Sequence, residues 1–223
     1  SMTVHNNLFQ WIRQHKILAV FAATLLVVGA CKAAEMLTPA KEIALIIGEP
    51  WKDMQARSTA EIGPVYEGRH WYRQPKQLSY MRFADPKHGF VTPPAKFFTV
   101  SFDDDASTRS VRMSPQVEPL PLQEALDIVL DLQNQWRKSG WLPTDPEEPA
   151  YENTLDWINR IEECRSNATF WHVPDKYQIA VGIACYGDKQ HPNKKRFMIN
   201  FSLGRPWYEP WKYNFPLDPN KPY

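Results

Sequence analysis

The spacing of apolar residues predicts two helices in the second half of the chain. The first runs from Leu122 to Ser139, because its apolar positions recur three and four residues apart and form one stripe. Arg137 and Lys138 suit the negative C-terminal end of that helix. A second helix is predicted over residues 152–164. The stripe of the first helix consists of Leu122, Ala125, Leu126, Val129, Leu130, Gln133 and Trp136, and the positions predicted to face inward in the second are Leu155, Ile158 and Ile161.

A second pattern, in which apolar and polar residues alternate, predicts strands. Residues 177–186 and 196–203 alternate in this way, and the polar loop between them favours an antiparallel hairpin. Residues 97–102 are predicted to form an earlier strand. Residues 103–105 separate it from another apolar segment at 111–113, which favours a second hairpin. The alternating apolar positions of the later pair are Ile179, Val181, Ile183 and Cys185 in one strand, and Phe197, Ile199, Phe201 and Leu203 in the other.

The order of these elements predicts the fold class. Strands, then helices, then strands favour an α+β fold in which helices pack on one face of an antiparallel sheet, preceded by an N-terminal apolar helix. Thr38 as an N-cap and Gly48 as a stop predict a short helix before the main domain. The predicted divisions are a leader over 1–31, a short helix and linker over 32–50, an α+β domain over 51–205 and a C-terminal arm over 206–223.

The apolar stretch Ile17–Cys31 determines the predicted compartment. It follows the basic residues Arg13 and Lys16, and it is shorter than the roughly 20 residues of a full membrane span. Its last residues, Val28-Gly29-Ala30-Cys31, are similar to the lipobox of bacterial lipoproteins, which implies lipidation of Cys31. Three interpretations stay open: a cleaved lipoprotein signal, an uncleaved signal anchor, or a buried helix of a soluble domain. The first two place the main domain in the periplasm, anchored to the inner or outer membrane.

Composition and cysteine content narrow the class of protein. With 43% hydrophobic and 23% charged residues, the 223-residue chain has the composition of a globular protein rather than a disordered one. Its net charge of +1 argues against a nucleic-acid partner, because phosphate binding needs a basic excess. Cys164 and Cys185 predict one disulfide in an oxidising compartment, and the alternative is a pair of buried free thiols.

Motifs of known catalytic or metal sites are absent from the sequence. It contains no G-x-S-x-G, H-E-x-x-H or P-loop pattern. The run Asp103–Asp105 offers oxygen ligands for a cation, but an aspartate run in a hairpin loop is more typical of a solvated turn. We therefore predict no enzymatic activity, no cofactor and no metal site.

The last residues combine many prolines with many aromatic rings. Proline denies the arm over 206–223 regular secondary structure, so its rings gain order only by packing into grooves. The arm therefore either clamps this protein's own sheet or docks on a partner, because interfaces favour Trp and Tyr. The candidate partner-binding residues are Trp207, Tyr208, Trp211 and Tyr213 in the arm, and Glu147 and Glu148 in an acidic, proline-rich loop.

In its layout, the chain resembles the immunity proteins that Gram-negative bacteria carry against exported antibacterial toxins, such as type VI secretion effectors. The resemblance rests on the VGAC stretch ending at Cys31, on Cys164 and Cys185, and on the lack of enzyme motifs. It implies a periplasm-facing protein that occludes a toxin, with a protein partner and contact to the membrane through its N-terminal segment. The first alternative is a structural or adaptor subunit of a cell-envelope secretion machine. The second is a cell-wall hydrolase or sugar-binding module.

Overall fold

The computed structural model describes residues 16, 20, 23–24, 26–27, 38–145, 150–187, 189 and 192–208. The chain divides into two compact units, Ser1–Pro39 and Ala40–Tyr223. Within the first unit, the described positions from 16 to 27 are helical. Among the described residues, no helix has the length and apolarity needed to cross a bilayer.

The second unit contains ten strands and three helices among its described residues. In chain order these are β1 (Lys41–Leu45), α1 (Trp51–Arg57), β2 (Trp71–Arg73), β3 (Ser79–Phe83), β4 (Phe90–Val91), β5 (Phe98–Phe102), β6 (Thr108–Met113), α2 (Leu122–Lys138), β7 (Leu142–Pro143), α3 (Leu155–Glu162), β8 (Thr169–Val173), β9 (Tyr177–Tyr186) and β10 (Arg196–Gly204). The predicted mixed α+β class is confirmed.

Seven of the strands form the large sheet, in the order β2-β5-β6-β10-β9-β8-β7, with every neighbouring pair antiparallel. The two predicted hairpins are both present as β5–β6 and β9–β10. The β9–β10 ladder extends from the pair of Arg196 with Tyr186 to the pair of Gly204 with Gln178. Alternation along both strands therefore separates a face of large apolar side chains from a face of mostly small or polar ones.

The other three strands form the small sheet, in the order β1-β3-β4, and β1 runs parallel to β3. The predicted helix after Thr38 is wrong, since residues 41–45 are a strand that belongs to the second unit. Ile43, Ala44 and Leu45 are all fully buried. A short apolar run of this kind fits a buried helix and a buried strand equally well, so the sequence pattern alone does not distinguish the two. Pairing with distant β3 decides between them.

Helices α2 and α3 contact β9 on the apolar face of the large sheet, and the small sheet packs there too. The fully buried ring of Trp136 on α2 lies at the centre of this layer. Its centroid is 5.5 Å from that of Trp171 on β8, 5.9 Å from that of Phe90 on β4 and 6.2 Å from that of Phe201 on β10. Aromatic burial therefore joins both sheets to α2.

The two predicted helices occur, but the second is shorter than its prediction. Helix α2 spans Leu122–Lys138, almost as the apolar stripe predicts. Helix α3 begins only after Thr154, whose hydroxyl accepts a hydrogen bond from the backbone N–H of Trp157. Leu155 is 73% exposed rather than inward, and Trp157 and Ile161 are the buried residues.

The predicted disulfide between Cys164 and Cys185 is present, with a Cα–Cα distance of 5.5 Å. It joins the residues just after α3 to the end of β9. Because the two cysteines are 21 residues apart, the bond closes a loop that contains β8. It therefore restricts the unfolded chain as well as fastening α3 to the large sheet.

Trp136→Ala is expected to lower the free energy of unfolding by about 3–5 kcal/mol, because it removes a buried aromatic ring and leaves a cavity. Urea denaturation followed by circular dichroism measures this change. Leu155→Ala removes a 73% exposed side chain and is the control, with an expected change under about 0.5 kcal/mol. Equal losses in the two variants would contradict the described core.

The double variant Cys164→Ala/Cys185→Ala is expected to lose about 3 kcal/mol of unfolding free energy through the freed loop. Urea denaturation with and without dithiothreitol measures the loss and its origin. The reductant is expected to bring the wild-type chain close to the variant and to leave the variant unchanged. A wild-type midpoint that does not respond to complete reduction would contradict the stabilising role of this bond.

Candidate functional site

The helices cover one face of the large sheet, and the opposite face carries a different set of side chains. The odd-numbered positions from 177 to 183 on β9 and from 197 to 203 on β10 are buried on the side of the helices, while the even-numbered ones point the other way. We call this second side the open face. Across β9, β10, β6, β5 and β2 it presents Ala180, Gly182, Ala184, Met198, Asn200, Ser202, Ser110, Arg112, Thr99, Ser101 and Tyr72.

A depression of about 450 Å³ lies over the middle of the open face. It exists because the side chains there are small: Ala168, Ala180, Gly182, Ala184, Asn200 and Ser202 line it. A Cβ added at Gly182 would meet only Ala168 and Asn167, at 3.5–3.7 Å, which is ordinary contact distance. The backbone therefore does not require glycine at this position.

Buried hydrogen bonds hold this part of the sheet in place. The side chain of Asn167 accepts from the backbone N–H of Ile183 at 2.9 Å and donates to its carbonyl oxygen at 2.8 Å. The Tyr151 hydroxyl donates to Asn167 Oδ1 at 2.6 Å, and Gln133 on α2 bonds both the N–H and the carbonyl of Tyr151. The floor of the depression is therefore tied through to α2, which makes it a preformed surface.

A second depression of about 410 Å³ lies on the same face, over β2, β5 and β6. Ser101 pairs with Ser110 and Phe102 with Thr108, so Arg109 is the extra residue of a β-bulge. The bulge brings Arg109 to the same side as Ser110. The lining is completed by exposed aromatic and basic side chains: Tyr72, which is 69% exposed, Phe97, which is 50% exposed, and Arg112.

The charged side chains that the strands themselves bring to the open face are all basic. None of the strands of the large sheet contains Asp or Glu, whereas Arg109, Arg112 and Arg196 all come from β6 and β10. Arg109 and Arg205 both lie near one carboxylate of Asp103, at 3.7 and 3.2 Å. Arg112 forms no ion pair with the residues that the structure describes. On the β6 side of the face, Arg112 is therefore a cation that no described carboxylate neutralises.

The beginning of the C-terminal arm crosses one end of the open face. Gln178 on β9 is fully buried, and its side-chain oxygen accepts from the backbone N–H groups of Trp207 and Tyr208 at 2.9 and 2.7 Å. The centroid of the Tyr208 ring lies 4.4 Å from that of Phe170, and the Tyr208 hydroxyl donates to the Asp145 carboxylate at 3.2 Å. These contacts are those of an arm that clamps its own sheet. Trp207 remains 49% exposed.

The predicted site residues divide into two groups. Trp207 and Tyr208 lie where the arm meets the sheet, as just described. Cys31, Glu147, Glu148, Trp211 and Tyr213 lie outside the described residues. Sequence reasoning missed the open face itself. Its signal was present in the small residues Ala180, Gly182 and Ala184, which alternate with the apolar positions of β9.

Residues with catalytic or metal-binding side chains are engaged in structural contacts. Asp103 pairs with arginines, and Asp105 accepts a hydrogen bond from the N–H of Ser107 within the β5–β6 turn. His88 is buried, with Nδ1 2.8 Å from the Ser139 carbonyl oxygen. Within the described part of the chain, no group of three or more His, Cys, Asp or Glu residues could hold a metal ion.

His172 on β8 pairs with Gln178, the residue that holds the start of the arm, in the β8–β9 ladder. Its Nδ1 lies 3.0 Å from the Thr144 hydroxyl. Burial lowers the pKa of His172 below its ordinary value of 6.5, because a charged imidazole loses solvation there.

Comparison with known proteins gives no relative from which a function could be transferred. No protein-family model, no curated protein and no solved structure matches this chain. We therefore argue its function from its own residues.

The lowered pKa of His172 predicts that stability falls with falling pH. Below about pH 6.5 the unfolded chain binds a proton that the folded state resists, so acidification favours unfolding. His172→Gln removes this contribution. Urea denaturation at pH 7.5 and 5.5 is expected to show a smaller acid-induced loss of unfolding free energy in the variant than in the wild type. Equal acid-induced losses of unfolding free energy in the wild type and the variant would contradict this role of His172.

Proposed function

We propose that this chain is a non-enzymatic, periplasm-facing binding protein that neutralises a secreted antibacterial toxin by covering it. The observation that carries the proposal is the open face: a broad sheet surface with small side chains at its centre and exposed aromatic and arginine side chains beside them. The solvent-facing side of an antiparallel sheet ordinarily carries polar side chains. A clustered aromatic and arginine surface is typical of the centre of protein interfaces.

The disulfide supports the proposed compartment. Cys164 and Cys185 are bonded, and disulfides persist in oxidising compartments such as the bacterial periplasm. The apolar stretch Ile17–Cys31 with basic residues before it fits export or anchoring in the envelope. A toxin delivered into the periplasm would meet an inhibitor located there.

The rigidity of the open face supports inhibition by occlusion. Its floor is fastened by the buried hydrogen bonds of Asn167 and Tyr151, so little conformational entropy is lost when a partner docks. A stable complex buries about 800 Å² on each partner, and a few aromatic and arginine side chains contribute most of its free energy. Covering an active site by such a surface requires no catalytic group on this chain.

Capture followed by a toxicity assay tests this function. The full chain, tagged and expressed in its native host, is used to isolate its envelope partner, which is then exported to the periplasm of a susceptible bacterium. We expect the partner to stop growth and co-expression of this chain to restore it. Residues 32–223 behind an unrelated export signal are expected to protect as well, because the contact lies in the second unit.

Two results would overturn the proposal. One is a partner that is harmless in the periplasm and forms part of a membrane machine, which would favour the adaptor role. The other is a toxic partner that still kills when this chain is present in excess.

A further inference from the structure

We infer that the β6 side of the open face docks an acidic protein segment, with Arg112 receiving one of its carboxylates. This inference rests on the proposed binding function and adds the surface and the chemistry of the partner. It starts from the exposed guanidinium of Arg112, which lies on β6 and has no ion-pair partner among the described residues.

Hydroxyl groups flank Arg112 on both neighbouring strands. Thr99 of β5 and Ser202 of β10 each pair with Arg112 in register, so the three side chains share one face. A guanidinium presents donors in a fixed fork that matches a carboxylate, and nearby hydroxyls can donate further hydrogen bonds to it. This arrangement is suited to the side chain of Asp or Glu.

Local charge favours an acidic occupant over a neutral one. On this side, Arg109 and Arg205 both pair with Asp103, whereas Arg112 has no ion-pair partner among the described residues. The other end of the face differs, because Arg196 shares a depression there with Glu118 and Glu124. The cation left without a described carboxylate partner on this side is therefore Arg112. A single such cation suits one protein segment rather than a phosphate backbone, which needs several aligned cations.

Aromatic side chains border the same region. Tyr72 and Phe97 line the depression that contains Arg112, and both are at least half exposed. A Cβ built on Gly204 would lie 3.7 Å from the ring of Trp207, which places this exposed ring next to Ser110, the partner of Gly204 in the ladder. Aromatic rings around an arginine exclude water from a docked carboxylate and strengthen its hydrogen bonds.

The two depressions are neighbours across the pairing of β6 with β10. Ser202 lines the depression of small residues and also pairs with Arg112 in the neighbouring strand. A segment docked on Arg112 therefore has a shallow floor of Ala180, Gly182 and Ala184 beside it, where its backbone can approach the sheet closely.

Site-specific photo-crosslinking tests the surface. The full chain carries p-benzoylphenylalanine in place of Thr99 in one sample and in place of Leu155, exposed on α3, in the other. Both are irradiated in the native host, and cross-linked peptides are sequenced by mass spectrometry. We expect the Thr99 probe to capture a protein segment rich in Asp and Glu, and the Leu155 probe to capture it at least about tenfold less. Capture through Leu155 alone, or capture of a segment without acidic residues, would overturn the inference.

Charge variants test the role of Arg112, read as the yield of the same cross-linked peptide. Arg112→Glu is expected to lower this yield at least about tenfold, and Arg112→Lys less. Lys52→Glu makes the same charge change on exposed α1 and is expected to leave it unchanged. An equal loss of cross-linked peptide in both variants would mean that only the overall charge matters, and it would overturn the assignment of Arg112 as the residue that receives the carboxylate.

The outcomes separate this inference from the proposed function. If the Thr99 probe captures an acidic but harmless protein, the docking surface stands and the toxin-neutralising role fails. If the chain protects against a toxin but Arg112→Glu protects equally well, the role stands and the docking surface fails. Binding of the purified chain to phosphatidylglycerol vesicles that Arg112→Glu abolishes would identify a lipid headgroup as the occupant and overturn the inference.

Discussion

The antiparallel pairing of β9 with β10 is the constraint on which the rest of the structure depends. Their ladder runs the length of β10 and sits at the centre of the large sheet. Since successive side chains point to opposite faces, a shift of one residue would expose Val181 and Phe201 and bury Asn200. The same register that forms the core therefore also creates the open face opposite it.

The packed core on one face of the large sheet determines the rigidity of the open face. On one side, the rings of Trp136, Trp171 and Phe201 pack between α2 and the strands and resist deformation. Through the strands, the buried side chain of Asn167 fastens β9 beside the depression of small residues. A stiff core thus gives the opposite surface a constant shape, which is what recognition by complementarity requires.

The start of the arm both packs on the open face and adds exposed surface to it. Gln178 and the ring of Phe170 hold Trp207 and Tyr208 at one end of it, so the clamp and the docking interpretations of this segment are compatible. Tyr208 belongs to the clamp, whereas the half-exposed Trp207 extends the aromatic border of the region around Arg112. Intramolecular docking of the arm therefore adds to the surface offered to a partner.

The sequence by itself determined the elements whose signal is local. Apolar spacing predicted α2, and alternation predicted β9 and β10, because each of these patterns lies within one element. The two cysteines predicted their disulfide because they lie only 21 residues apart in the chain. Only the tertiary structure decided that residues 41–45 are a strand, since their partner β3 lies far along the chain. It also decided which face of the large sheet is covered, because Arg112, Thr99 and Ser202 come together only when three separate strands pair.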